Sequence, residues 1–380
     1  MAANKLFVIL ATAYGALGAA TPGEPTIADL NPYPAKPRIS FKSNNTFKLT
    51  VFSDLHFGEN PWEDWGPAHD KSSVALMARI LADEKPDFAV INGDLVTGEN
   101  TFRENVTLLL DQIAGPFNAA KQPFAVTFGN HDNEPNITHA EEIAHLQKVS
   151  PFTYVRAAPD GVGGDSGPAN YWVPIYKKQS DKAPVLILWF FDSRGGFHLK
   201  PNSTVGVPDW VDASVGDWIQ SETIKMEAAW GPADSRAAVA FVHIPPHAIQ
   251  ALQSSVSSDK NPGMNADTLG NGSVQDSASV GNDSPFWDSL VANVPNLHAL
   301  VSGHDHGNEW CAREPNKKII FCFDKHSGYG GYDSEGWGHG VRNFLFGTPD
   351  PKAGVETWIR LEEGTTKARV TLDSSYDPRN

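Results

Sequence analysis

Apolar residues recur along this chain in two patterns that alternate. Short apolar runs predict buried strands at residues 88–91, 123–128, 185–191, 237–242 and 297–302, and an alternating run predicts one more strand at 47–53. Apolar residues at helical spacing predict helices at residues 70–84, 103–114, 138–148 and 215–229. Strands at 318–323, 355–361 and 367–373 follow without a helix between them, so we expect antiparallel pairing there. This order predicts an α/β (α+β) domain of two packed sheets with helices outside.

The 380 residues divide into one long folded region and a few segments without such patterns. We predict a single domain over residues 46–376, preceded by an extended arm at 21–45 that is rich in proline and polar residues. Within the domain, residues 254–284 are dominated by Ser, Asp, Asn and Gly and predict a long, flexible loop insertion. This loop is either a lid or a stretch of solvated surface, and the sequence favours neither.

The amino terminus predicts the compartment. Lys5 precedes a short apolar stretch that ends in small residues at Ala19 and Ala20, a pattern typical of a secretory signal peptide over residues 1–20. The stretch is too short for a membrane anchor, and no later segment approaches the length of a membrane span. We therefore expect a secreted, extracellular or secretory-pathway protein, with a vacuole or a cell wall as alternative destinations.

Sequons and cysteines agree with export. Six Asn-x-Ser/Thr sequons are candidate glycosylation sites: Asn44, Asn105, Asn136, Asn202, Asn271 and Asn282. The two cysteines, Cys311 and Cys322, flank a stretch that reads as a hairpin loop between two short strands. In an oxidising compartment this pair would form a disulfide, and otherwise it would remain two buried thiols.

Composition restricts the classes of partner. Hydrophobic residues make up 40% of the chain and charged residues 20%, as in a globular protein with a substantial core. The formal net charge of −15 repels nucleic acid and anionic membranes unless a local cation intervenes, so we expect no nucleic-acid-binding surface. An anionic substrate would need a metal ion or a compact basic site.

Polar side chains follow five predicted strands at their carboxyl ends, where open α/β sheets bind their ligands. They are Asp54 and His56, Asp94, Asn130 and His131, His243, and His304 and His306. Each alone is most often a cap or a turn residue, but five such groups at equivalent strand ends are hard to explain as separate accidents. Because residues i and i+2 of an extended chain point to the same side, we expect Asp54 with His56, and His304 with His306, each to converge on one point.

The donor set indicates metal chemistry. Imidazole nitrogens together with carboxylate and amide oxygens suit Fe, Mn or Zn better than calcium or magnesium. Seven such donors are too many for one transition-metal ion but suit two ions that share a bridging carboxylate. Two ions about 3.5–4 Å apart clamp both oxygens of an in-line displacement at phosphorus.

These motifs resemble those of the calcineurin-like metallophosphoesterases. The order Asp-x-His, Gly-Asp, Gly-Asn-His-Asp, a single His after a strand, and Gly-His-x-His extends over residues 54–306. The runs at 163–171 and 326–332 are similar to those of secreted fungal phosphatases related to the short plant purple acid phosphatases. The resemblance implies a four-layer α/β/β/α sandwich of two mixed sheets flanked by helices.

The resemblance also implies individual roles. Asp54, His56 and His306 would hold the first metal ion, Asn130, His243 and His304 the second, and Asp94 would bridge them. His131 would act as general acid on the leaving-group oxygen or stabilise the phosphoryl oxygens, while a hydroxide between the metals attacks phosphorus. From the residues themselves, Asp132 would either orient His131, as part of the catalytic apparatus, or cap the following turn.

The chain departs from two related groups. Purple enzymes carry a tyrosine ligand soon after the Gly-Asp motif and a glycine at the place of His56, whereas here Asp94 is followed by Leu95, Val96 and Thr97. We therefore expect no ferric–tyrosinate colour, and the identity of the metal pair stays open. The aspartate–arginine pair that protein serine/threonine phosphatases place after this motif is also missing.

Weaker candidates for substrate binding are His247, Arg194 and Arg342, each of which has an alternative as a packing or surface residue. The predicted function is a secreted dinuclear-metal phosphatase acting on phosphomonoesters, either phosphorylated small molecules or phosphoproteins. The alternatives are a phosphodiesterase or nucleotidase on the same site, and a metal-binding regulatory module without turnover.

Overall fold

The computed structural model describes residues 30–200 and 203–379. The predicted signal peptide, the first part of the predicted arm and the sequon at Asn202 lie outside these residues. The described part of the arm contributes a short strand to the larger sheet and buries Tyr33 and Phe41, so it packs on the domain.

Two mixed sheets and a separate hairpin contain all fifteen strands of the described residues. The larger sheet has the spatial order β1 (Ile39–Ser40), β5 (Tyr171–Tyr176), β6 (Leu186–Phe191), β9 (Ala237–Val242), β10 (Leu297–Ser302), β12 (Ile320–Phe323) and β11 (Cys311–Arg313). The smaller sheet has the order β15 (Thr366–Leu372), β14 (Val355–Leu361), β13 (Gly340–Phe346), β2 (Phe47–Phe52), β3 (Phe88–Asn92) and β4 (Phe124–Thr127). The hairpin pairs β7 (Phe197–Lys200) with β8 (Ser203–Gly206).

Five α-helices cover the outer faces of the sheets in the described chain. They are α1 (Trp65–Glu84), α2 (Val106–Ala120), α3 (His139–Val149), α4 (Ala213–Trp230) and α5 (Ser284–Asn293). Successive residues of β6 point to opposite faces of the sheet. Leu188 packs in the cluster that includes residues of β2, β3 and α1, and Trp189 packs with residues of α4 and α5. A strand with apolar residues on both faces lies between two layers. The four-layer α/β/β/α arrangement predicted from the resemblance is therefore confirmed.

The parallel strands set the position of the site. In the smaller sheet β2, β3 and β4 run parallel, and in the larger sheet β6, β9, β10 and β12 do. Parallel neighbours end at one edge, so the polar residues that follow β2, β3, β4, β9 and β10 are brought towards each other.

Several element predictions need correction. The run predicted at 318–323 pairs antiparallel with β11 but parallel with β10, so it belongs to the larger sheet. Helix α2 continues past Pro116 to Ala120, and α1 begins at Trp65 rather than at residue 70. Strands β5 and β13 and helix α5 have no counterpart among the predicted elements.

Cys311 and Cys322 face each other in the β11–β12 pair and form a disulfide. The disulfide alternative of the sequence analysis is thus confirmed. Within residues 30–200 and 203–379, none of the helices combines the length and the apolar character that crossing a bilayer requires.

Candidate metal centre

The polar residues after β2, β3, β4, β9 and β10 come together at the carboxyl ends of these strands. Three groups of three side chains have their ligand atoms within 4.8 Å of one another. These groups are Asp54, His56 and His306; Asp94, His243 and His304; and His56, Asp94 and His131. Six of the seven predicted metal ligands are thus in one connected cluster, together with the predicted acid His131.

Asp94 lies at the centre of this cluster. Its Oδ2 is 2.9 Å from His243 Nε2 and 3.6 Å from His56 Nε2, so it faces an imidazole of each predicted ion site. Asp54 Oδ1 is 3.5 Å from His306 Nε2 and 3.9 Å from His243 Nε2. Both carboxylates are only 1% exposed. The central place of Asp94 is the one that a bridging carboxylate requires.

The backbone at these residues is not extended, and this corrects the argument from strand alternation. Asp54, His56, Asp94 and His304 have φ angles of 52°, 48°, 50° and 75°, in the left-handed region. Such conformations cost roughly 1–3 kcal/mol each and cluster at functional sites. Asp54 and His56 do meet in one group, but His304 joins Asp94 while His306 joins Asp54. The expectation that His304 and His306 converge on one point is wrong.

Two glycines permit the close approach of these turns. Gly93 has a φ of 88°, and a Cβ there would lie 2.3 Å from His243 Nδ1. A Cβ on Gly129 would lie 2.2 Å from Asp94 Oδ1 and 2.5 Å from His243 Cδ2. Because the backbone of Gly129 is extended, with φ −109° and ψ −174°, it is the close approach that requires glycine there.

Backbone carbonyls fix two of the imidazoles in orientation. His243 Nδ1 is 2.8 Å from the carbonyl oxygen of Asn92, and His306 Nδ1 is 2.6 Å from that of Tyr332. A carbonyl only accepts, so each Nδ1 carries a proton and each Nε2 faces the carboxylates, where a metal ion would take the place of any proton on that nitrogen. Metal-binding histidines are held in this way by their second ring nitrogen.

The other two imidazoles are held by different groups. His304 Nε2 is 2.9 Å from the carbonyl oxygen of Gly272, which leaves Nδ1 with the lone pair. His56 Nδ1 is 3.2 Å from the hydroxyl of Thr97. Gly272 belongs to the predicted 254–284 loop, so this loop reaches the site and is more than solvated surface.

Three donor atoms of predicted metal ligands are buried without a hydrogen bond of good geometry among the described residues. They are His56 Nε2, Asn130 Oδ1 and His243 Nε2, the last with only the Asp94 carboxylate, 2.9 Å away, as its ion-pair partner. An unpaired buried polar atom costs roughly 1–3 kcal/mol, so each needs an explanation. All three belong to predicted metal ligands, including the amide oxygen of Asn130, and the residues present therefore fit a metal centre.

Burial and opposite charge act against each other at this site. Burial raises the pKa of Asp94, but the imidazoles of His243 and His131 outweigh burial and hold that pKa well below its usual range. Burial lowers the pKa of His56 to about 3, and the Asp94 carboxylate offsets only part of this. An ionised carboxylate and a neutral imidazole are the forms that bind metal.

His131 lies at the rim of the centre, with 32% of its side chain exposed. Its Nδ1 is 2.9 Å from the carboxylate of Glu99, and its backbone N–H donates to Asp94 Oδ1 at 3.0 Å. Burial alone would lower the pKa of His131, but Asp94 and Glu99 outweigh it and raise the pKa to about 9. The two carboxylates thus favour the protonated form of the ring. Glu99 was not predicted, because it lies in a single 3₁₀ turn, Gly98–Asn100, and not at a strand end.

Asp132 has a different place from either one predicted. Its buried carboxylate accepts hydrogen bonds from the backbone N–H groups of Leu95 at 2.7 Å, Val96 at 3.0 Å and Gly129 at 2.8 Å. These bonds tie the segment after β3 to the turn after β4. Asp132 thus positions backbone, and its carboxylate is committed to that and not to the ring of His131.

Arg342 is corrected from a substrate-binding candidate to a structural residue. Its side chain is fully buried in β13, and Nε donates to the carbonyl of Phe323 at 2.6 Å. The other nitrogens donate to the hydroxyl of Thr357 at 3.0 Å and to the carbonyl of Glu309. A guanidinium committed to three groups of the interior cannot contact a substrate.

Of the two other substrate-binding candidates, Arg194 is bound to neighbouring protein groups through its side chain, whereas His247 is bound through its backbone N–H. Arg194 is 3% exposed and donates to the carbonyl of Trp210 at 2.8 Å and to Asp212 at 3.2 Å, so it too is corrected to a structural role. His247 is half-buried, and its backbone N–H donates to Asp283 at 2.7 Å. A substrate contact by the His247 ring stays a prediction.

The sequence model of the calcineurin-like phosphoesterases matches residues 47–308, which include the whole cluster. The chain belongs to this family. It is similar to phosphatase DCR2 of Saccharomyces cerevisiae, with 27% identity over 308 residues that cover 75% of this chain and 49% of the yeast protein. It is also similar to probable inactive purple acid phosphatase 29 of Arabidopsis thaliana, with 26% identity over 360 residues that cover 88% of each chain.

The chain thus spans about half the length of the yeast relative it matches. Among solved structures, a dimetal phosphatase from Danio rerio superposes with a TM-score of 0.52 and 13% identity, over 87% of this chain and 100% of that chain. At this identity the likeness shows the fold. The family membership predicted from the strand-end motifs is confirmed.

Proposed function

We propose that this chain is a phosphatase that hydrolyses phosphomonoesters at a centre of two metal ions. The observation that carries the proposal is the set of buried donor atoms at the centre that have no hydrogen bond of good geometry in the described chain. Hydrogen bonds from Nδ1 of His243 and of His306 to backbone carbonyls direct the Nε2 atoms of both rings at the carboxylates. Such an arrangement stabilises bound cations better than it stabilises the polypeptide alone.

The resident ions would be held by two sets of residues around a shared carboxylate. Asp54, His56 and His306 would form one set and Asp94, His243 and His304 lie together at the other, where Asn130 would add its amide oxygen. Asp94 also lies with His56 and would be the shared carboxylate. Metal ions at this centre supply Lewis-acid stabilisation of charge on a phosphoryl group and activation of water. The donor types favour Fe, Mn or Zn, and elemental analysis of protein purified without added metal identifies the pair.

The chain's own contribution to the reaction comes from the rim. His131 is half-buried beside Asp94 and has the carboxylate of Glu99 at its Nδ1, so its ring is placed to hold a proton next to a phosphoryl group at the centre. We assign it the protonation of the leaving-group oxygen. Positive charge on this ring also offsets repulsion between an anionic substrate and a chain of formal net charge −15.

Turnover itself is the first property to test, because a relative similar over most of its length is named as probably inactive. We expect the purified protein to hydrolyse p-nitrophenyl phosphate and to lose this activity with a strong chelator. An Asp94→Asn/His304→Ala double variant should be inactive. His145→Ala, which removes a half-buried histidine of α3 paired with the half-exposed Asp111, is the matched control and should remain active. Full activity of the double variant would refute the proposal.

The rival functions differ in measurable ways. Faster hydrolysis of bis-p-nitrophenyl phosphate than of the monoester would favour a phosphodiesterase on the same site. Binding of two metal ions per chain without turnover of any phosphoester would favour a metal-binding regulatory module. The presence of His131 in addition to the metal donors supports the enzyme, because a site that only binds metal needs no general acid.

We also propose that the protein enters the secretory pathway. The support is the pattern of residues 1–20 in the sequence together with the disulfide between Cys311 and Cys322, since such bonds persist in oxidising compartments. Two of the sequon residues, Asn44 and Asn271, are exposed. We expect mature protein that begins near residue 21 and migrates faster after endoglycosidase treatment. A retained amino terminus on the intact protein would contradict the proposal.

A further inference from the structure

A second cluster of potential metal donors lies in the segment between β12 and β13. Asp333 Oδ1 is 3.5 Å from His326 Nε2, and Asp333 Oδ2 is 3.5 Å from His339 Nε2. The ligand atoms of the three residues lie within 4.8 Å of one another, and the two imidazole rings are 4.8 Å apart at an angle of 77°. None of the three belongs to the donor set of the proposed two-ion centre.

The distances in this cluster are too long for good hydrogen bonds. They agree with two donors bound to the same tetrahedral ion, because ligands about 2.0–2.1 Å from zinc are roughly 3.3 Å from each other. His326 is 2% exposed, and its Nε2 has no hydrogen-bond partner in the described part of the chain. His326 Nε2 thus faces the carboxylate of Asp333 without a hydrogen bond to it. A metal ion between the two would explain this arrangement.

The other nitrogen of His326 has two close neighbours. Nδ1 is 2.9 Å from the carbonyl oxygen of His306 and 2.9 Å from the ammonium of Lys325, which also faces the carboxylate of Glu309 at 3.4 Å. The tautomer in which Nδ1 donates to the carbonyl is the one that leaves the lone pair of Nε2 for an ion. A carbonyl behind the ring is the usual support of a metal-binding histidine.

We propose a third metal site, separate from the two-ion centre, in which His326, Asp333 and His339 bind Zn²⁺ or a similar divalent ion. Two imidazoles and one carboxylate are donors that zinc accepts, with water in the fourth position. The side chain of Asp333 is 39% exposed, so the ion and its fourth position are accessible from solvent.

An ion at this site would fix residues that contact His306, one of the predicted ligands of the two-ion centre. Tyr332 directly precedes Asp333, stacks on His306 with ring centroids 4.1 Å apart, and offers its carbonyl to His306 Nδ1. His326 stacks on the same ring at 5.2 Å. The third ion therefore holds two residues that contact His306, which gives the site a positioning role for the first ion site.

Metal counting in matched variants tests the proposal. Full-length protein is stripped with a chelator, reloaded with excess Zn²⁺, desalted and analysed for zinc per chain. We expect Asp333→Asn and His339→Ala each to hold one zinc ion fewer than wild type. The partly exposed pair of His145 and Asp111, 2.9 Å apart, is the control, because His145→Ala removes a histidine beside a single carboxylate and should hold as many ions as wild type.

Equal zinc contents in wild type and in both variants would overturn the third site. Asp333 is partly exposed, so Asp333→Asn gives a folded comparison even if His339→Ala does not. The test of the third site can also be carried out independently of the two-ion centre. An Asp94→Asn/His304→Ala background should lose the ions of the two-ion centre and still lose one more when Asp333→Asn is added. If this ion is lost as expected while the wild-type protein shows no phosphatase activity, the third site is supported and the proposed enzyme is refuted.

Discussion

Glu99 is the residue whose contact with His131 has the most direct kinetic consequence. Its carboxylate and that of Asp94 outweigh the effect of burial and raise the pKa of His131 to about 9. We predict that Glu99→Gln lowers this pKa, so that the protonated acid is lost at lower pH. The alkaline limb of the kcat/KM–pH profile should move down by roughly half a unit to one unit, because Glu99 is partly exposed.

This shift should be measured on an alkyl or phenyl phosphate, whose poor leaving group needs the acid more than p-nitrophenol does. His131→Ala should lose most activity on such a substrate and keep its metal. Glu104→Gln, the same change at an exposed position nearby, should leave the profile unchanged. An unaltered alkaline limb in Glu99→Gln would show that Glu99 does not raise the pKa of His131.

Asp132 leads to a prediction about stability. Asp132→Ala would leave three buried backbone N–H groups, those of Leu95, Val96 and Gly129, without their acceptor. We expect a loss of roughly 2–4 kcal/mol in the free energy of unfolding, measured by urea denaturation, with Asp132→Asn losing less because one acceptor oxygen remains. A variant of unchanged stability with reduced turnover would instead support the orienting role towards His131.

The seven metal-ligand candidates could be identified from the sequence because each follows an apolar strand closely. Strand alternation does not predict their grouping, which depends on left-handed backbone at Asp54, His56 and His304; the grouping implied by the family resemblance agrees with the observed clusters. Contacts made by backbone atoms are also invisible in side-chain patterns. The carbonyl of Gly272 that accepts from His304 is an example.

At the scale of elements, helix α3 offers a comparison of two histidines in one helix. His139 Nδ1 is 2.9 Å from Asp192, with both side chains fully buried, and His145 Nε2 is 2.9 Å from the half-exposed Asp111. His139 Nε2 also lies 2.9 Å from the carbonyl of Gly129, so this helix supports the turn that carries Asn130.

We predict that His139→Ala destabilises the protein by roughly 3–5 kcal/mol, because it leaves the buried carboxylate of Asp192 without its counter-charge. His145→Ala should cost less than about 1 kcal/mol, as for other surface ion pairs. Both values come from urea denaturation under the same conditions. Equal losses in the two variants would show that burial does not decide the strength of these pairs.

Strands and helix ends that the sequence does not predict contain residues that usually interrupt a strand or a helix. Strand β13 carries the buried Arg342 among its apolar residues, and its charge interrupts the apolar run that predicts a strand. Strand β5 contains Pro174, a residue that argues against a sheet interior. Helix α2 continues through Pro116, where the pattern predicts an end. In each case packing against the sheets decides the structure over local preference.

For the whole molecule, the proposed centre lies where the two sheets meet, so its ions link elements distant in sequence. Asp54 follows β2, and His306, 3.5 Å away, follows β10 of the other sheet. Ions that bind only the folded chain stabilise it by about 2.7 kcal/mol per site at a hundred times the dissociation constant. Two sites of this kind raise the unfolding temperature by on the order of 10 °C in a domain of this size.

We therefore predict that chelation lowers the unfolding temperature of the active protein by this order, measured by calorimetry. The comparison is best made in an Asp333→Asn background, which removes any contribution of the third site. In that background, Asp94→Asn/His304→Ala should unfold at nearly the same temperature with and without chelator, because each of the two ion sites has lost a donor. If chelation does not change the unfolding temperature of the Asp333→Asn protein, the buried donors between the sheets do not hold metal in the folded chain.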